Sequence, residues 1–241
     1  MNREYHRWYS PSLNRHMDLL IFGHAGARAL VFPTSMGKFY EWEDRGMINA
    51  LREPIEKGWL QLYCVDSVDT ESWYCWWAHP GGRAYRHHQY FEYLHNEVLP
   101  LMNQKNSNPY LITAGMSFGA FHAMSFGLKY PHRVDRILAI AGLYDIRRFT
   151  GGYSDDYVYF NNPMQFIAGE NDPGRLAALQ HQRSSSRWAT PIRSSSTRAI
   201  CPGCSGAKAS VMGCGNGTVG VTTGRTGTAW FPCICLAMLK R

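Results

Sequence analysis

Short apolar runs alternate with amphipathic stretches along the first 180 residues. Runs typical of β-strands lie at 17–22, 29–32, 60–65, 110–114 and 136–141. Apolar residues recur at three- and four-residue spacing over 42–57 and 85–102, and a further helical stretch covers 120–130. Strands that alternate with helices predict an α/β fold, a mostly parallel sheet with helices on its faces. We expect the first two of these strands to form an antiparallel pair at the edge of the sheet.

This pattern stops near residue 182. Serine runs at 184–186 and 194–196 and a glycine-rich segment at 213–220 show neither the strand nor the helix period. Segment 183–241 holds five of the seven cysteines and eight of the 25 Lys and Arg residues, but no Asp, Glu or His. Residues 1–182 are left with a net charge of −1, so the overall +7 belongs to the last segment. We therefore predict an α/β domain at 1–182 and a basic, low-complexity tail at 183–241.

The tail allows several interpretations. Its Gly, Ser and Thr content without periodicity is typical of disorder. The Cys201-Pro-Gly-Cys204 spacing resembles half of a zinc knuckle, which three later cysteines could complete, Cys214, Cys233 and Cys235. A single pair of this kind is weak evidence, and we predict no metal site. The arginines lack an aromatic platform or a recognition helix, so we predict no nucleic-acid partner.

Composition narrows the class of protein. A chain of 241 residues that is 45% apolar and 14% aromatic is long enough to bury the core of one domain. No apolar stretch approaches the roughly 20 residues that span a bilayer, and the N-terminus has no apolar run after its first charges. We therefore expect a cytoplasmic protein with no membrane partner. The sequence does not predict an oligomeric state.

The strongest chemical motif is Gly115-Met-Ser-Phe-Gly119. It lies between the apolar run 110–114 and the helical stretch 120–130, which is the strand, sharp turn and helix context of a serine nucleophile. Flanking glycines permit the strained turn that exposes the hydroxyl, and a base must then remove its proton. The motif therefore predicts Ser117 as a nucleophile but supplies only half of an active site.

Several segments of the first 180 residues resemble the putative-esterase branch of the α/β-hydrolases, which includes esterase D-like enzymes. Besides 115–120, they are 22–27, 31–37, 39–44, 64–69, 73–77, 142–145 and 159–163. The resemblance implies an α/β-hydrolase fold and a Ser, acid, His order of catalytic residues. It also implies attack on a small-molecule ester through an acyl-enzyme, without a cofactor.

The resemblance and the motif assign candidate roles. Ser117 is the catalytic nucleophile, and the backbone N–H of Phe118 and that of Met36, in the loop after the 29–32 strand, are expected to form the oxyanion hole. Candidate pocket residues are Ser35, Asp145 and Trp76, with a structural capping role favoured for Asp145. Other side chains are expected to be structural: His122 and His132 as surface or packing residues, and the stretch 85–90 as a polar helix surface.

No convincing base or acid follows Ser117 in the chain. In the resembling family the acid follows a strand, and the His lies in a stretch similar to DGW-x-HDWPYW near the C-terminus. Translated one base out of frame, 187–193 permits V-G-D-T-D-P, and 221–227 permits H-D-W-P-Y-W. We hypothesise that a frameshift between about Leu179 and Ser184 replaced the final strands, the acid and the His. The sequence therefore predicts a serine esterase that is impaired in this copy, or alternatively a non-catalytic binding scaffold.

Overall fold

The computed structural model describes residues 1–185, 210–214 and 218–222, with side chains through Gln182. Six strands form one sheet in the order β1-β2-β4-β3-β5-β6. Their bounds are β1 Arg3–Ser10, β2 Arg15–Phe22, β3 Ala27–Phe32, β4 Leu60–Val65, β5 Leu111–Met116 and β6 Arg136–Ile140. Strands β4, β3, β5 and β6 run parallel, whereas β1 and β2 are antiparallel to their neighbours. The predicted mostly parallel sheet is confirmed.

Helices connect these strands and cover both faces of the sheet. Their bounds are α1 Glu41–Asp44, α2 Met47–Ala50, α3 Arg52–Glu56, α4 Pro80–Tyr93, α5 Leu99–Lys105, α6 Phe118–Lys129, α7 Asp156–Phe160, α8 Pro163–Phe166 and α9 Pro173–Ser185. A π-helical turn, Leu94–Val98, joins α4 to α5, so the predicted stretch 85–102 is helical throughout. The predicted stretch 42–57 is instead three short helices, because Gly46 adopts a left-handed φ of 73° between the first two.

Alternate residues of the central strands enter two separate cores. Leu30, Phe32 and Tyr63 pack on one face with α4 and α6, and Val31 and Leu62 pack on the other face with α1 to α3. A strand that is buried on both faces has a continuous run of apolar residues. The sequence pattern therefore predicted the central strands.

The prediction that the strands at 17–22 and 29–32 form an antiparallel edge pair is wrong. Strand β2 pairs with β1 and β4, and β3 lies inside the sheet between β4 and β5. The sequence pattern missed β1 because an edge strand exposes most of its side chains, and Arg3, Glu4 and Arg7 make it look like a charged terminus.

Two further strands, β7 Ser210–Cys214 and β8 Thr218–Thr222, form a separate antiparallel pair. The sequence pattern predicted no element there. The cysteines considered as metal ligands lie outside the residues whose side chains are described. Within the described part of the chain, no group of His, Cys, Asp and Glu side chains could hold a metal ion. None of the helices described here combines the length and the apolar character needed to cross a membrane.

Candidate active site

The candidate site lies where β3 and β5, adjacent parallel strands, reach their carboxyl ends. Phe32, at the end of β3, is in register with Gly115, two residues before Ser117. After β3 the chain continues to β4, on one side of this pair of strands. After β5 it continues to β6, on the other side. Such a switch point leaves a crevice beyond the strand ends, which is where open α/β sheets bind ligands.

Ser117 occupies a strained turn between β5 and α6. Its backbone has φ 57° and ψ −121°, a conformation that residues with a side chain rarely adopt. Its N–H donates to the Ile140 carbonyl oxygen at 3.0 Å, which holds the turn against the end of β6. The side chain is exposed although both neighbouring glycines belong to buried segments. The structure therefore presents the hydroxyl to solvent at the top of the sheet.

The two glycines of the motif allow this turn to pack. A Cβ on Gly115 would lie 2.2 Å from the Gly119 carbonyl oxygen, and a Cβ on Gly119 would lie 2.4 Å from the Pro33 carbonyl oxygen. Real Cβ atoms do not approach backbone oxygens so closely. Both positions therefore require glycine, and α6 begins in direct contact with the loop after β3.

Two segments at the site carry backbone donors. Phe118 is the first residue of α6, so its N–H has no acceptor within the helix and is available to an anion. The second segment is the turn 34–37, which the Gly37 N–H closes by donating to the Thr34 carbonyl oxygen at 2.9 Å. The two segments come together where Gly119 lies against the Pro33 carbonyl oxygen, which immediately precedes this turn.

Within the turn, the Met36 N–H already has a partner. It donates to Asp69 Oδ2 at 2.9 Å, and Met36 itself has a left-handed φ of 56°. The Ser35 N–H, one residue earlier, donates to no acceptor among residues 1–182. Of the two amides, that of Ser35 is the one available to a ligand.

Aromatic side chains form a wall beside the turn. The Tyr74 hydroxyl donates to Ser35 Oγ at 2.8 Å, and the Tyr74 ring packs edge-on against Phe118 with centroids 5.1 Å apart. Trp76 stacks on Phe149 with centroids 5.1 Å apart and 10° between the planes, and remains 60% exposed. The Tyr74 ring also packs edge-on against Phe149, with centroids 5.2 Å apart, so Ser35 and Trp76, both predicted pocket residues, belong to one connected cluster that includes Phe118.

Asp145 has the geometry of a cap. Its Oδ1 accepts the Arg147 N–H at 3.0 Å at the start of a short 3₁₀ helix, Ile146–Phe149, and its carboxylate also accepts from the Arg147 guanidinium and from Asn162 Nδ2. The hydrogen bonds from Arg147 hold the pKa of the Asp145 carboxyl below its usual range. These contacts fit the expected capping role.

The described part of the chain contains three histidines after Ser117: His122, His132 and His181. His122 is fully buried, as expected for a packing residue, and His132 is exposed. Over residues 1–182 the Ser117 hydroxyl makes no hydrogen bond, with a histidine or with any other side chain. The proposed base and acid of the shifted frame lie outside the described residues.

Sequence reasoning missed a buried chain of three polar side chains. Asp69 Oδ1 lies 2.9 Å from His122 Nε2, and His122 Nδ1 lies 3.3 Å from His87 Nε2. The expectation of a polar helix surface at 85–90 is wrong for His87 and Tyr90, which are both 0% exposed. Burial, followed by the neighbouring His122, lowers the pKa of His87 well below its ordinary value. The one sequence signal for this cluster was the position of Asp69 within the family-like segment 64–69.

Comparisons with solved structures identify the fold. An S-formylglutathione hydrolase from Staphylococcus aureus is 14% identical, with a TM-score of 0.51 over 70% of this chain and 71% of that one. A ferulic acid esterase is 15% identical, with a TM-score of 0.57 over 75% and 76% of the two chains. An S-formylglutathione hydrolase from Agrobacterium tumefaciens is 14% identical, with a TM-score of 0.53 over 70% and 72%. These likenesses show an α/β-hydrolase fold.

The sequence comparison extends this result. No curated protein sequence matches the chain. The family described as Putative esterase matches residues 64–200, which is more than half of the chain and includes the Ser117 motif. With the strand order and the strained serine turn already established, the chain belongs to the putative esterase family of the α/β-hydrolases.

Proposed function

We propose that this protein is a serine-dependent carboxylic ester hydrolase that works through an acyl-enzyme on Ser117. The observation that carries the proposal is the strained, exposed conformation of Ser117 between two glycines that accept no side chain. A strained non-glycine residue persists only where the surrounding structure holds it, and such strain clusters at functional sites. The family membership adds the reaction class.

The chemistry follows from the arrangement. Ser117 Oγ attacks the carbonyl carbon of the ester while a base takes its proton, and the resulting oxyanion accepts hydrogen bonds from the Phe118 N–H and from an N–H of the turn 34–37. Collapse of this intermediate expels the alcohol, and water then hydrolyses the acyl-enzyme. The Ser35 N–H suits this role, since the Met36 N–H would first have to leave Asp69.

The pocket beside Ser117 is proposed to take the acyl or alcohol group. Ser35, Trp76 and Asp145 are the residues that we propose to line it, with Trp76 supplying an exposed ring face. Flat or apolar groups pack well on such a surface. A ferulic acid esterase among the similar folds points in the same direction, and a small-molecule ester is the substrate class that we propose.

We infer that this copy is impaired and that segment 183–241 is translated out of frame. The support is the agreement of several shifted stretches with the family pattern, together with the observation that no histidine of residues 1–182 is hydrogen-bonded to Ser117. Loss of the catalytic His or acid from a triad costs several orders of magnitude in turnover and leaves a residual rate from binding and the oxyanion hole.

A labelling experiment tests the nucleophile. The full chain is treated with a fluorophosphonate probe and with p-nitrophenyl acetate, beside the variants Ser117→Ala and Ser125→Ala. Ser125 is a fully buried serine on the same helix and is the matched control. We expect Ser117→Ala to lose all labelling and ester turnover and Ser125→Ala to keep both. Labelling that is equal without Ser117 supports the binding-scaffold alternative, as does a chain that never labels even after its reading frame has been restored.

A second experiment tests the reading frame. Shifting the frame by one base at residue 183 should restore the acid and the His, and turnover of p-nitrophenyl acetate should rise by at least about a hundredfold. The frame-restored chain with Ser117→Ala is the control and should remain inactive. Turnover no higher than that of the original chain would contradict the hypothesis, as would a resequenced gene whose alternate frame contains no family-like stretch.

A further inference from the structure

The turn 34–37 is held by two buried carboxylates. Glu41 accepts hydrogen bonds from the Thr34 N–H and the Thr34 hydroxyl, both at 2.7 Å, and Asp69 accepts the Met36 N–H at 2.9 Å. Glu41 is 8% exposed and Asp69 is 1% exposed. Hydrogen bonds from N–H groups to an ionised acceptor in such surroundings are stronger than those between neutral groups. Hydrogen bonds to buried carboxylates therefore hold the turn at Thr34 and at Met36.

The Met36 conformation requires this support. A left-handed φ costs a residue with a side chain on the order of 1 kcal/mol, and Met has no polar side chain to form a compensating local hydrogen bond. The Met36 side chain is half exposed, so packing does not hold it in place. The hydrogen bond to Asp69 is the contact that orients the peptide between Ser35 and Met36.

Asp69 joins this turn to the helix that carries the other donor. Its second oxygen, Oδ1, pairs with His122 Nε2 at 2.9 Å, and His122 lies on α6, one turn after Phe118. The His122 ring also packs edge-on against the Phe118 ring, with centroids 4.9 Å apart. One buried carboxylate thus bridges the turn 34–37 and helix α6, which begins directly after Ser117.

The hydrogen-bond partners define where the protons lie. A carboxylate only accepts, so His122 donates to Asp69 from Nε2, and in a pair of neutral rings its Nδ1 is left as an acceptor. His87, kept neutral by burial, then donates from its Nε2 to His122 Nδ1. His87 thus donates to His122, and His122 donates to Oδ1 of Asp69. Oδ2 of Asp69 remains to accept the Met36 N–H.

We infer that Asp69, oriented by His122 and His87, is a positioning residue that fixes the oxyanion turn 34–37 against the start of α6. The inference rests on the proposed function of Ser117. By holding the Met36 N–H, Asp69 directs the preceding amide, that of Ser35, toward the space above Ser117. Catalytic donors must be held within a fraction of an ångström of their productive position, and a misplacement of about 1 Å costs about a hundredfold in rate.

Two variants separate positioning from mere packing. Asp69→Leu removes both acceptors and keeps the branched arrangement of side-chain heavy atoms. Asp69→Asn keeps one carbonyl oxygen, which must face either Met36 or His122. A backbone N–H is always a donor, whereas an imidazole nitrogen can become an acceptor by a change of tautomer. We therefore expect the oxygen of the introduced carboxamide to retain Met36 and its NH₂ group to donate to His122, whose proton moves from Nε2 to Nδ1. His87 then carries its own proton on Nδ1, so that its Nε2 accepts from His122 Nδ1.

The measurements are amide hydrogen exchange at Met36, the ring ¹⁵N shifts of His122, and Ser117-dependent turnover of p-nitrophenyl acetate in the full chain. For Asp69→Leu we expect Met36 exchange to accelerate by about 10- to 100-fold, with α6 amides unchanged. We expect its kcat to fall at least about tenfold with KM within about threefold. Asp69→Asn should keep slow exchange and most of kcat, while Nε2 of His122 acquires the shift of an unprotonated nitrogen. Asp66→Leu, which removes another carboxylate that is 1% exposed, is the control and should change none of these.

The outcomes distinguish this inference from the proposed function. Unchanged Met36 exchange in folded Asp69→Leu overturns the inference that Asp69 holds the turn, as does an unchanged His122 tautomer in Asp69→Asn. If the Leu variant does not fold, the Asn variant decides. Faster exchange with an unchanged, Ser117-dependent kcat shows that Asp69 is only structural. If turnover does not depend on Ser117, the proposed function fails, while Met36 exchange still decides whether Asp69 holds the turn.

Discussion

Gly119 lies against the carbonyl oxygen of Pro33, so close that a Cβ at this position would be 2.4 Å from it. The contact joins the first turn of α6 to the loop after β3, and those are the segments that carry the proposed oxyanion donors. Because the neighbour is backbone rather than a flexible side chain, nothing can move aside without displacing the loop.

Gly119→Ala should therefore lower both stability and activity. We expect the free energy of unfolding to fall by about 3 kcal/mol, at the upper end of overpacking effects, because the Pro33 loop must shift. Gly82→Ala is the matched control: Gly82 lies in α4 with no atom near its would-be Cβ, and it should gain about 0.5 kcal/mol. Urea denaturation measures both, and equal effects of the two substitutions would contradict the close contact.

Ser117→Gly should stabilise the protein while removing the nucleophile. Glycine adopts a φ of 57° freely, so the substitution relieves strain of about 1–3 kcal/mol, and the greater backbone entropy of unfolded glycine offsets part of that gain. We expect a net gain of about 1 kcal/mol in thermal or urea unfolding. Ser125→Gly, in the regular interior of α6, should instead lose stability. A Ser117→Gly protein no more stable than the parent would argue against strain at the turn.

Trp76→Ala should affect aromatic substrates selectively. Its exposed ring extends the aromatic wall, and an aromatic contact contributes about 0.5–1.5 kcal/mol beyond its area. We expect KM for an aromatic acyl ester to rise about two- to tenfold, and KM for an acetyl ester to stay constant. Trp77→Ala is the control, since Trp77 is 90% exposed and makes no ring contact with the wall. Equal shifts for both esters would place Trp76 outside the pocket.

Lys129→Met should stabilise the protein at neutral pH. Burial lowers the pKa of Lys129 to about 8, from an ordinary value of 10.5. Between these values the unfolded chain binds more protons, so the free energy of unfolding rises with pH from about 8 to 10.5, and below pH 8 the full cost of burying the charge is present. Each pKa unit corresponds to about 1.4 kcal/mol, and with partial access of water we expect the variant to gain about 1–2 kcal/mol at about pH 7.

Urea denaturation from about pH 7 to 10.5 provides the measurement. The stability advantage of Lys129→Met over the parent should shrink as the pH rises from about 8 to 10.5, because the buried tyrosines and Cys64 contribute equally to both proteins. Lys57→Met, at an exposed lysine, is the control and should leave the pH dependence of stability unchanged. A stability difference between Lys129→Met and the parent that is the same at about pH 7 and at about pH 10.5 would refute a depressed Lys129 pKa.

The strained turn at Ser117, between β5 and α6, could be predicted because all the residues that determine it are close in sequence. Strand β5, the two glycines and α6 follow one another directly, and each has its own pattern in the sequence. The same holds for the central strands, which are apolar on both faces. Strand β1 gave no such signal, since its edge position leaves its charged residues in solvent.

The polar cluster behind the site could not be predicted in this way. Asp69 and His122 are 53 positions apart, and His87 and His122 are 35 apart. Only the packing of α4 against α6 and of the loop after β4 against both brings them together. A histidine in a polar-looking stretch such as 85–90 has the same local pattern whether it faces solvent or the core.

The pairing of Phe32 with Gly115 has an evolutionary consequence. Strand register changes only in whole residues, and each step shifts a strand by about 3.3 Å and exchanges its two faces. The distance between Ser117 and the turn 34–37 therefore cannot be adjusted gradually by sliding β3 along β5. In descendants of this fold, the spacing of the strand ends is inherited unchanged. The distance between Ser117 and its backbone donors can vary only through the turn itself, its two buried acids and the side chains around it.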